Sequence, residues 1–332
     1  MLITLKDPAS FAPAWWLPGA HAQTLWGKFG RRISLPSSGY LERWDTLDGD
    51  FLEVFRVPAP AGAPRLLVLH GLEGTIRSHY ARGILQRAAA AGWAADLLIF
   101  RSCGSELNRT PRFYHSGETG DLEFIVDRIG REHPRAPLLI VGYSLGGNVL
   151  LKWLGECGAA LPGQLRAAAA VSVPYDLEAG ATYIHQGFSR VYEQHFLRSL
   201  KAKAMAKLRR FPGLVNARAL KAVKTLVDFD EAVTAPIHGF SGARDYYTRS
   251  SAIRFLPEIR RPTMLISAYD DPFLPSSVLD RVRTLASANP KLLPCFQAHG
   301  GHAGFVSGVI PGRSIYFSED RIMAFFLAHL AA

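Results

Sequence analysis

The stretch that decides the fold is Pro137-Leu138-Leu139-Ile140-Val141-Gly142-Tyr143-Ser144-Leu145-Gly146-Gly147-Asn148-Val149-Leu150-Leu151. Its first five residues are apolar and read as a buried strand, and the segment from Asn148 onward has helical character. Between them stands Gly-x-Ser-x-Gly. A strand that turns directly into a helix brings the two backbones so close that only small residues fit two positions either side of the serine. The serine is then held in a strained conformation with its hydroxyl exposed. Ser144 is the candidate nucleophile.

Outward from this turn, short apolar runs alternate with longer helical segments, the pattern of a mostly parallel sheet covered by helices. The candidate strands are Arg65–His70, Ala94–Phe100, Leu138–Val141, Ala167–Val173, Thr263–Ser267 and Leu292–Gln297. Candidate helices are Tyr80–Ala91, Gly120–Glu132, Gly146–Cys157, Ser276–Ser287 and Glu319–Leu330. A turn at Leu47-Asp48-Gly49-Asp50 predicts a small antiparallel pair within Asp45–Val57. From Asp176 to Pro236 no strand-like run interrupts several amphipathic helices. An insertion of this kind between strands lies over one sheet edge, where open α/β folds bind ligands. The chain therefore divides into an N-terminal arm and first part of the core (1–175), a helical cap (176–236) and the remainder of the core (237–332).

A serine hydroxyl needs a general base, and the base needs an acidic orienter. In elbow enzymes these follow the serine in the order acid, then histidine. The strand Met264–Ala268 ends in Asp270-Asp271-Pro272, which supplies the acid: Asp271 is the first choice and Asp270 the alternative. The last strand leads into His299-Gly300-Gly301-His302-Ala303-Gly304-Phe305, whose glycines let the loop bring His302 over the elbow as base, with His299 in a structural role. Two backbone N–H groups must face the developing oxyanion. The amide of Leu145, at a helix N-terminus, is one, and Leu72 in Leu69-His70-Gly71-Leu72-Glu73-Gly74 is the other.

Composition narrows the partners. With 48% hydrophobic and 20% charged residues, the 332-residue chain is globular, neither disordered nor fibrous. Cys103, Cys157 and Cys295 are too few and scattered for a disulfide framework, and no Cys-x-x-Cys pair exists, which favours a reducing compartment. Met1–Pro8 lacks a basic segment followed by an apolar run, so a cytoplasmic protein without a secretory leader is expected. No Gly-x-x-x-x-Gly-Lys-Ser/Thr, Gly-x-Gly-x-x-Gly or His-Glu-x-x-His occurs in its required setting, and catalysis is expected to need neither cofactor nor metal. The net charge of +10 suggests a polyanionic partner until it is located. Nine basic residues and no acidic one lie between Arg198 and Lys224, carrying almost all of the excess. No nucleic acid is therefore expected. The bland reading of 198–224 is a solvated helix face; the sharper one is peripheral contact of the cap with anionic lipid, or steering of anionic substrates.

Taken together these residues resemble the α/β-hydrolase superfamily, and within it the YheT-like branch that also holds yeast ethanol acyltransferases/medium-chain esterases and related animal lipases. The resemblance runs through Gly19-Ala20-His21-Ala22-Gln23-Thr24, Asp48-Gly49-Asp50, His70–Gly74, Arg101-Ser102-Cys103-Gly104 and Tyr114-His115-Ser116-Gly117-Glu118-Thr119. It continues through Gly142–Glu156, Asp270–Phe273 and His299–Phe305, with Ser102 where the family often has glycine. The resemblance implies an α/β-hydrolase fold, a triad at Ser144, Asp271 and His302, and hydrolysis of small carboxylic esters with short- or medium-chain acyl groups. Acyl transfer to an alcohol is the alternative it implies. A non-catalytic basic interaction module on the same fold is the remaining reading, weakened by the presence of all three triad residues.

Overall fold

The computed structural model describes residues 11–331; Met1–Pro8, read above for a leader, lies outside them. Strands β1 (Tyr40–Asp45), β2 (Phe51–Val57), β3 (Arg65–Leu69), β4 (Ala94–Ile99), β5 (Leu138–Tyr143), β6 (Leu165–Val171), β7 (Thr263–Ala268) and β8 (Leu292–Gln297) form one sheet in the order β1-β2-β4-β3-β5-β6-β7-β8. From β4 to β8 every neighbour is parallel, while β1 and β2 extend the sheet antiparallel. All residues of β3, β4, β5 and β7 are buried, because helices cover both faces and their near-continuous apolar sequences leave no polar side to expose. The order reverses at β3, and the register Leu69↔Gly142 sets the C-terminal ends of β3 and β5 side by side at that switch point.

Helices α1 (Gly19–Phe29), α2 (His79–Ala90), α3 (Gly120–Glu132) and α4 (Leu145–Cys157) precede β6. Between β6 and β7 the chain forms α5 (Leu177–Tyr183), α6 (Ser189–Arg210), α7 (Ala217–Ala222), α8 (Leu226–Phe229), α9 (Ala235–His238) and α10 (Ala243–Ser250), followed by short 3-10 turns to Glu258. Helices α11 (Ser276–Ser287) and α12 (Phe317–Leu330) complete the layers. The helical segment thus continues past residue 236, and no strand forms before Thr263. It has its own small core, in which Leu197, Leu200, Leu220, Val223 and Phe229 pack on Phe113 of the main body.

Three local differences from the sequence reading have physical causes. The antiparallel pair begins at Tyr40, so that Trp44 is fully buried opposite Leu52. Strand β6 ends at Val171 because Ser172 adopts φ 50°, a left-handed conformation that leaves the sheet. An unforeseen helix, α1, runs from Gly19, after Pro18, to Phe29, before Gly30.

One buried polar network joins two of the quoted motifs. The Arg101 guanidinium donates to Asp121 through Nε at 2.9 Å and Nη2 at 2.6 Å, and through Nη1 to Asp48 and Asp50 at 2.8 Å each. Burial opposes ionisation of Asp50. Hydrogen bonds from Asn108, Thr110 and the backbone N–H groups of Arg109 and Phe51 outweigh it and hold this carboxyl well below the usual carboxylate range. Ser102 sits at φ 64°, which favours glycine, and its hydroxyl donates to Asn108 in compensation. Arg101→Met strands three carboxylates around one missing cation. It is expected to cost about 3–5 kcal/mol in urea unfolding, and a loss below 1 kcal/mol would show that the network contributes little.

Candidate active site

The elbow is built by contact. A Cβ on Gly142 would lie 2.4 Å from the carbonyl oxygen of Gly146, and one on Gly146 would lie 2.5 Å from that of His70. Strand β5, helix α4 and the end of β3 touch through their backbones, and no side chain fits between them. The turn leaves Ser144 at φ 52°, ψ −120°, with its N–H donating to Val171 O at 2.8 Å. Leu145 is the first residue of α4, where N–H groups have no intrahelical acceptor.

The loop after β3 faces this turn. His70 is fully buried; its Nδ1–H donates to Gly71 O at 2.8 Å, and Nε2 accepts the Phe100 N–H at 3.1 Å, which fixes the tautomer. Burial pushes its pKa down to about 4, so it is neutral. The Gly71 N–H goes to Tyr80 Oη, that of Glu73 to Tyr114 Oη, and that of Gly74 to Gly71 O. Among the described residues the Leu72 N–H has no acceptor, and Leu72 lines the same cavities as Ser144.

Of the two adjacent carboxylates, Asp271 meets His302 and Asp270 meets His299. His302 Nδ1 lies 2.9 Å from Asp271 Oδ2 and 3.1 Å from Oδ1, with both side chains nearly buried. Asp271 Oδ1 also accepts the Phe273 N–H at 2.8 Å, and the Phe273 ring stacks on His302 with centroids 4.1 Å apart. Asp270 accepts the Gly301 N–H at 2.9 Å and lies 3.3 Å from His299 Nδ1. Ser144 and His302 line one groove.

The His302 loop is held by residues whose roles the sequence did not reveal. Thr24 Oγ1 accepts the His302 N–H at 2.9 Å and donates to Ala20 O at 2.7 Å. Gln23 is buried and makes a two-way bond to Val306, accepting its N–H at 2.7 Å and donating to its carbonyl at 3.0 Å. Ser172 Oγ accepts the Ala303 N–H at 2.9 Å, which explains why β6 ends where it does. Gly301 and Gly304 pack against α1 so closely that a Cβ on either would lie within 2.5 Å of the Ala20 or Gln23 carbonyl oxygen. The Gly19–Thr24 motif was visible in the sequence, but nothing there tied it to a histidine far along the chain.

Ser144 stands where two cavities meet. One, of about 140 Å³, runs under the helical segment and is lined by Leu145, Leu177, Ile184, Leu200, Phe229 and Tyr247 among others. The other is an open groove of about 1180 Å³ that also includes His302, α1 and the start of α2. Leu72, Phe196 and Phe273 line both. His115, Glu118 and His238 gather within 4.8 Å of one another as metal ligands would; the Glu118 carboxylate is also taken by Arg112 and the Gly120 N–H, His115 Nδ1 accepts the Gly117 N–H at 3.1 Å, and His238 Nε2 is buried with no partner among the described residues.

Residues 64–309 match the model of the alpha/beta hydrolase fold family. The chain belongs to the α/β-hydrolase family. It is 39% identical to the esterase-named YheT of Escherichia coli (strain K12) over 98% of its own length and 96% of that protein's, which places it in the YheT-like branch. It is 31% identical to phospholipase ABHD3 of Mus musculus over 80% of its length, spanning 63% of that relative. In fold it resembles the Pyrococcus furiosus esterase Pf2001, with a TM-score of 0.55 at 14% identity, over 91% of this chain and 98% of that one. Among the described residues no helix of this YheT-like hydrolase is long and apolar enough to cross a membrane.

Two outcomes follow from these contacts. Thr24→Val removes the acceptor that holds the His302 backbone and should lower kcat about 10- to 100-fold with KM little changed. Thr24→Ser should restore it; a loss of stability without a kcat defect would make Thr24 merely structural. The second concerns acid. His70 is buried and His79 half-buried; desolvation pushes their pKa values to about 4 and about 3, below the unfolded value, so both are neutral. The unfolded chain takes up protons that the fold refuses, so stability is full above pH 6.5 and falls as pH drops toward 4. Urea unfolding at pH 7 and pH 4.5 should differ by on the order of 3 kcal/mol per histidine at most; equal midpoints would contradict this.

Proposed function

We propose that this carboxylesterase-type hydrolase cleaves its ester through an acyl-enzyme on Ser144, with His302 as general base, Asp271 as its orienter, and the Leu72 and Leu145 N–H groups as the oxyanion hole. The observation that carries the reading is the 2.9 Å contact between His302 Nδ1 and Asp271. With Nδ1–H donated to the carboxylate, the Nε2 lone pair is left for the serine proton. His302 takes that proton as Ser144 Oγ attacks the acyl carbon, and returns it to the departing alcohol oxygen. Water, deprotonated by the same imidazole, then releases the acid.

The chamber under the helical segment supports a short- to medium-chain acyl group. An apolar cavity of about 150 Å³ holds a benzene-sized guest, and the space of about 140 Å³ here is of that order. We read residues 176–236, extended by α10, as the cap that closes this chamber. The groove on the other side is wide enough for water to reach Ser144, and we read hydrolysis as the outcome, in keeping with the esterase and lipase names of the relatives.

A fluorophosphonate probe should label the wild type and not Ser144→Ala. Ser144→Ala and His302→Ala should each lower kcat about 10⁴-fold or more, and Asp271→Asn by about 10²–10⁴-fold, whereas Asp270→Asn should retain most activity. Equal labelling of Ser144→Ala, or a greater loss in Asp270→Asn than in Asp271→Asn, would overturn the assignment. Rates on p-nitrophenyl esters from two to twelve carbons should peak at or below eight, and product analysis in ethanol should yield mainly free acid.

A further inference from the structure

The chamber of about 140 Å³ under the helical segment is apolar apart from its serine end and one corner. That corner holds Asp230, on the π-helical turn Asp230–Thr234. It is the only carboxyl among the described residues that line the chamber, and no lysine or arginine lines it. Thr234 Oγ1 donates to Asp230 Oδ1 at 2.6 Å, and Tyr247 Oη, from α10, donates to Oδ2 at 2.8 Å. An ionised carboxylate has about four acceptor sites, so these bonds fill about half of them. No other donor and no cation reaches the Asp230 side chain among the described residues. Burial, with no cation to offset it, holds its pKa up at about 6 against the two hydrogen bonds that lower it. A neutral amide oxygen could accept both donors, so tying the turn to α10 does not by itself require a carboxylate.

The corner is joined to the serine through a chain of contacts. Asn148, one helical turn past Ser144 in α4, donates through Nδ2 to Ser116 O at 2.8 Å. Ser116 belongs to the Tyr114–Thr119 motif, and its N–H donates to Tyr246 Oη at 2.9 Å. The Tyr246 and Tyr247 rings lie 5.3 Å apart. Ser144, Ser116, Tyr246, Tyr247 and Asp230 line one cavity. The carboxyl therefore stands a helical turn and two aromatic rings away from the serine, where it meets the far part of a bound acyl chain and not its carbonyl.

We propose that the acyl group this enzyme removes carries a hydroxyl toward its far end, and that Asp230 accepts the hydrogen bond from it. The proposal rests on the Ser144 acyl-enzyme reading and on the chamber as the acyl site; it adds what the acyl chain bears. The chain packs on Leu177, Ile184, Leu200 and Phe229, and its hydroxyl regains at the carboxylate the hydrogen bond it gave up in water. A bond to an ionised acceptor is also stronger than one between neutral groups. An unsubstituted chain of the same size leaves the open acceptor sites against hydrocarbon, which costs free energy. An ammonium would satisfy the same carboxylate, but it gives up far more hydration on passing the apolar walls.

The test is run at pH 8, where Asp230 is ionised. It compares p-nitrophenyl esters of ω-hydroxy acids of six, seven and eight carbons with those of unsubstituted acids one carbon longer, which match them in size. At the best-fitting length kcat/KM should favour the hydroxy ester about tenfold or more. Asp230→Asn, which keeps the shape and loses the charge, should bring that ratio toward one. Asp230→Glu, which keeps the charge on a longer stem, should shorten the preferred hydroxyacyl chain by about one carbon. Fluorophosphonate labelling of Ser144 checks that each variant is folded. A wild-type ratio near one at all three lengths, or a ratio that survives Asp230→Asn, overturns the hydroxyl proposal. So does a faster reaction of the 6-aminohexanoyl ester than of the 6-hydroxyhexanoyl ester. In each of these cases hydrolysis of the unsubstituted esters leaves the serine-esterase reading standing. No hydrolysis of any ester, with no labelling of the wild type, overturns both.

Discussion

The site depends on one close approach, the backbone contact between the β5–α4 turn and the end of β3. Gly142 and Gly146 have to be glycines because their neighbours are carbonyl oxygens that cannot move aside. That contact forces Ser144 to φ 52° and aligns the first N–H groups of α4 with the loop carrying Leu72. The same register, Leu69 beside Gly142, decides that Ser144 and the Leu72 and Leu145 N–H groups, the proposed nucleophile and oxyanion donors, share one end of the sheet. A larger residue at either glycine would push β3 and α4 apart, and Ser144 and the Leu72 loop would separate with them.

His302 arrives by a different route. Strand β8 delivers the chain, but it is α1, from the start of the sequence, that fixes the loop through Thr24, Gln23 and two glycine contacts, with Ser172 closing it from the other side. Ala303 and Phe305 sit at φ 53° and 47°, conformations that cost free energy and persist only where surrounding contacts overdetermine them. The strain on the serine side is held by packing of backbone on backbone; on the histidine side it is held by hydrogen bonds from distant segments.

This division explains what the sequence revealed. The strands, the elbow and the loops that carry Asp271 and His302 were legible because each is a local pattern, a hydrophobic run that leads into a turn or a loop. The boundaries of β7, β8 and α11 fell within one residue of the reading, since turns and polar segments bracket them sharply. What local pattern does not encode is which distant groups meet. Asp270 and Asp271 are chemically alike in the sequence, and only the chain path after β7 sends one to His302 and the other to His299. The hold of Thr24 on His302 was invisible for the same reason, although both residues stood in motifs already quoted.

The basic excess is the feature whose meaning changed most. Within 198–224, Lys207 is fully buried in α6, where its ammonium donates to the carbonyls of Thr110 and Arg112 and burial pulls its pKa down to about 8. Lys203 pairs with Glu73, and Lys201 donates to Val223 O at 2.7 Å. Three cations that looked like a solvated face therefore serve as ties, two of them fastening the helical segment to the loop after β3 and to the 108–112 loop beside the Arg101 network. Lys203 thereby neutralises Glu73, the only carboxylate among the described groove-lining residues. Charge read along the sequence as a property of one helix thus acts in the fold as a set of ties that hold the helical segment to the core.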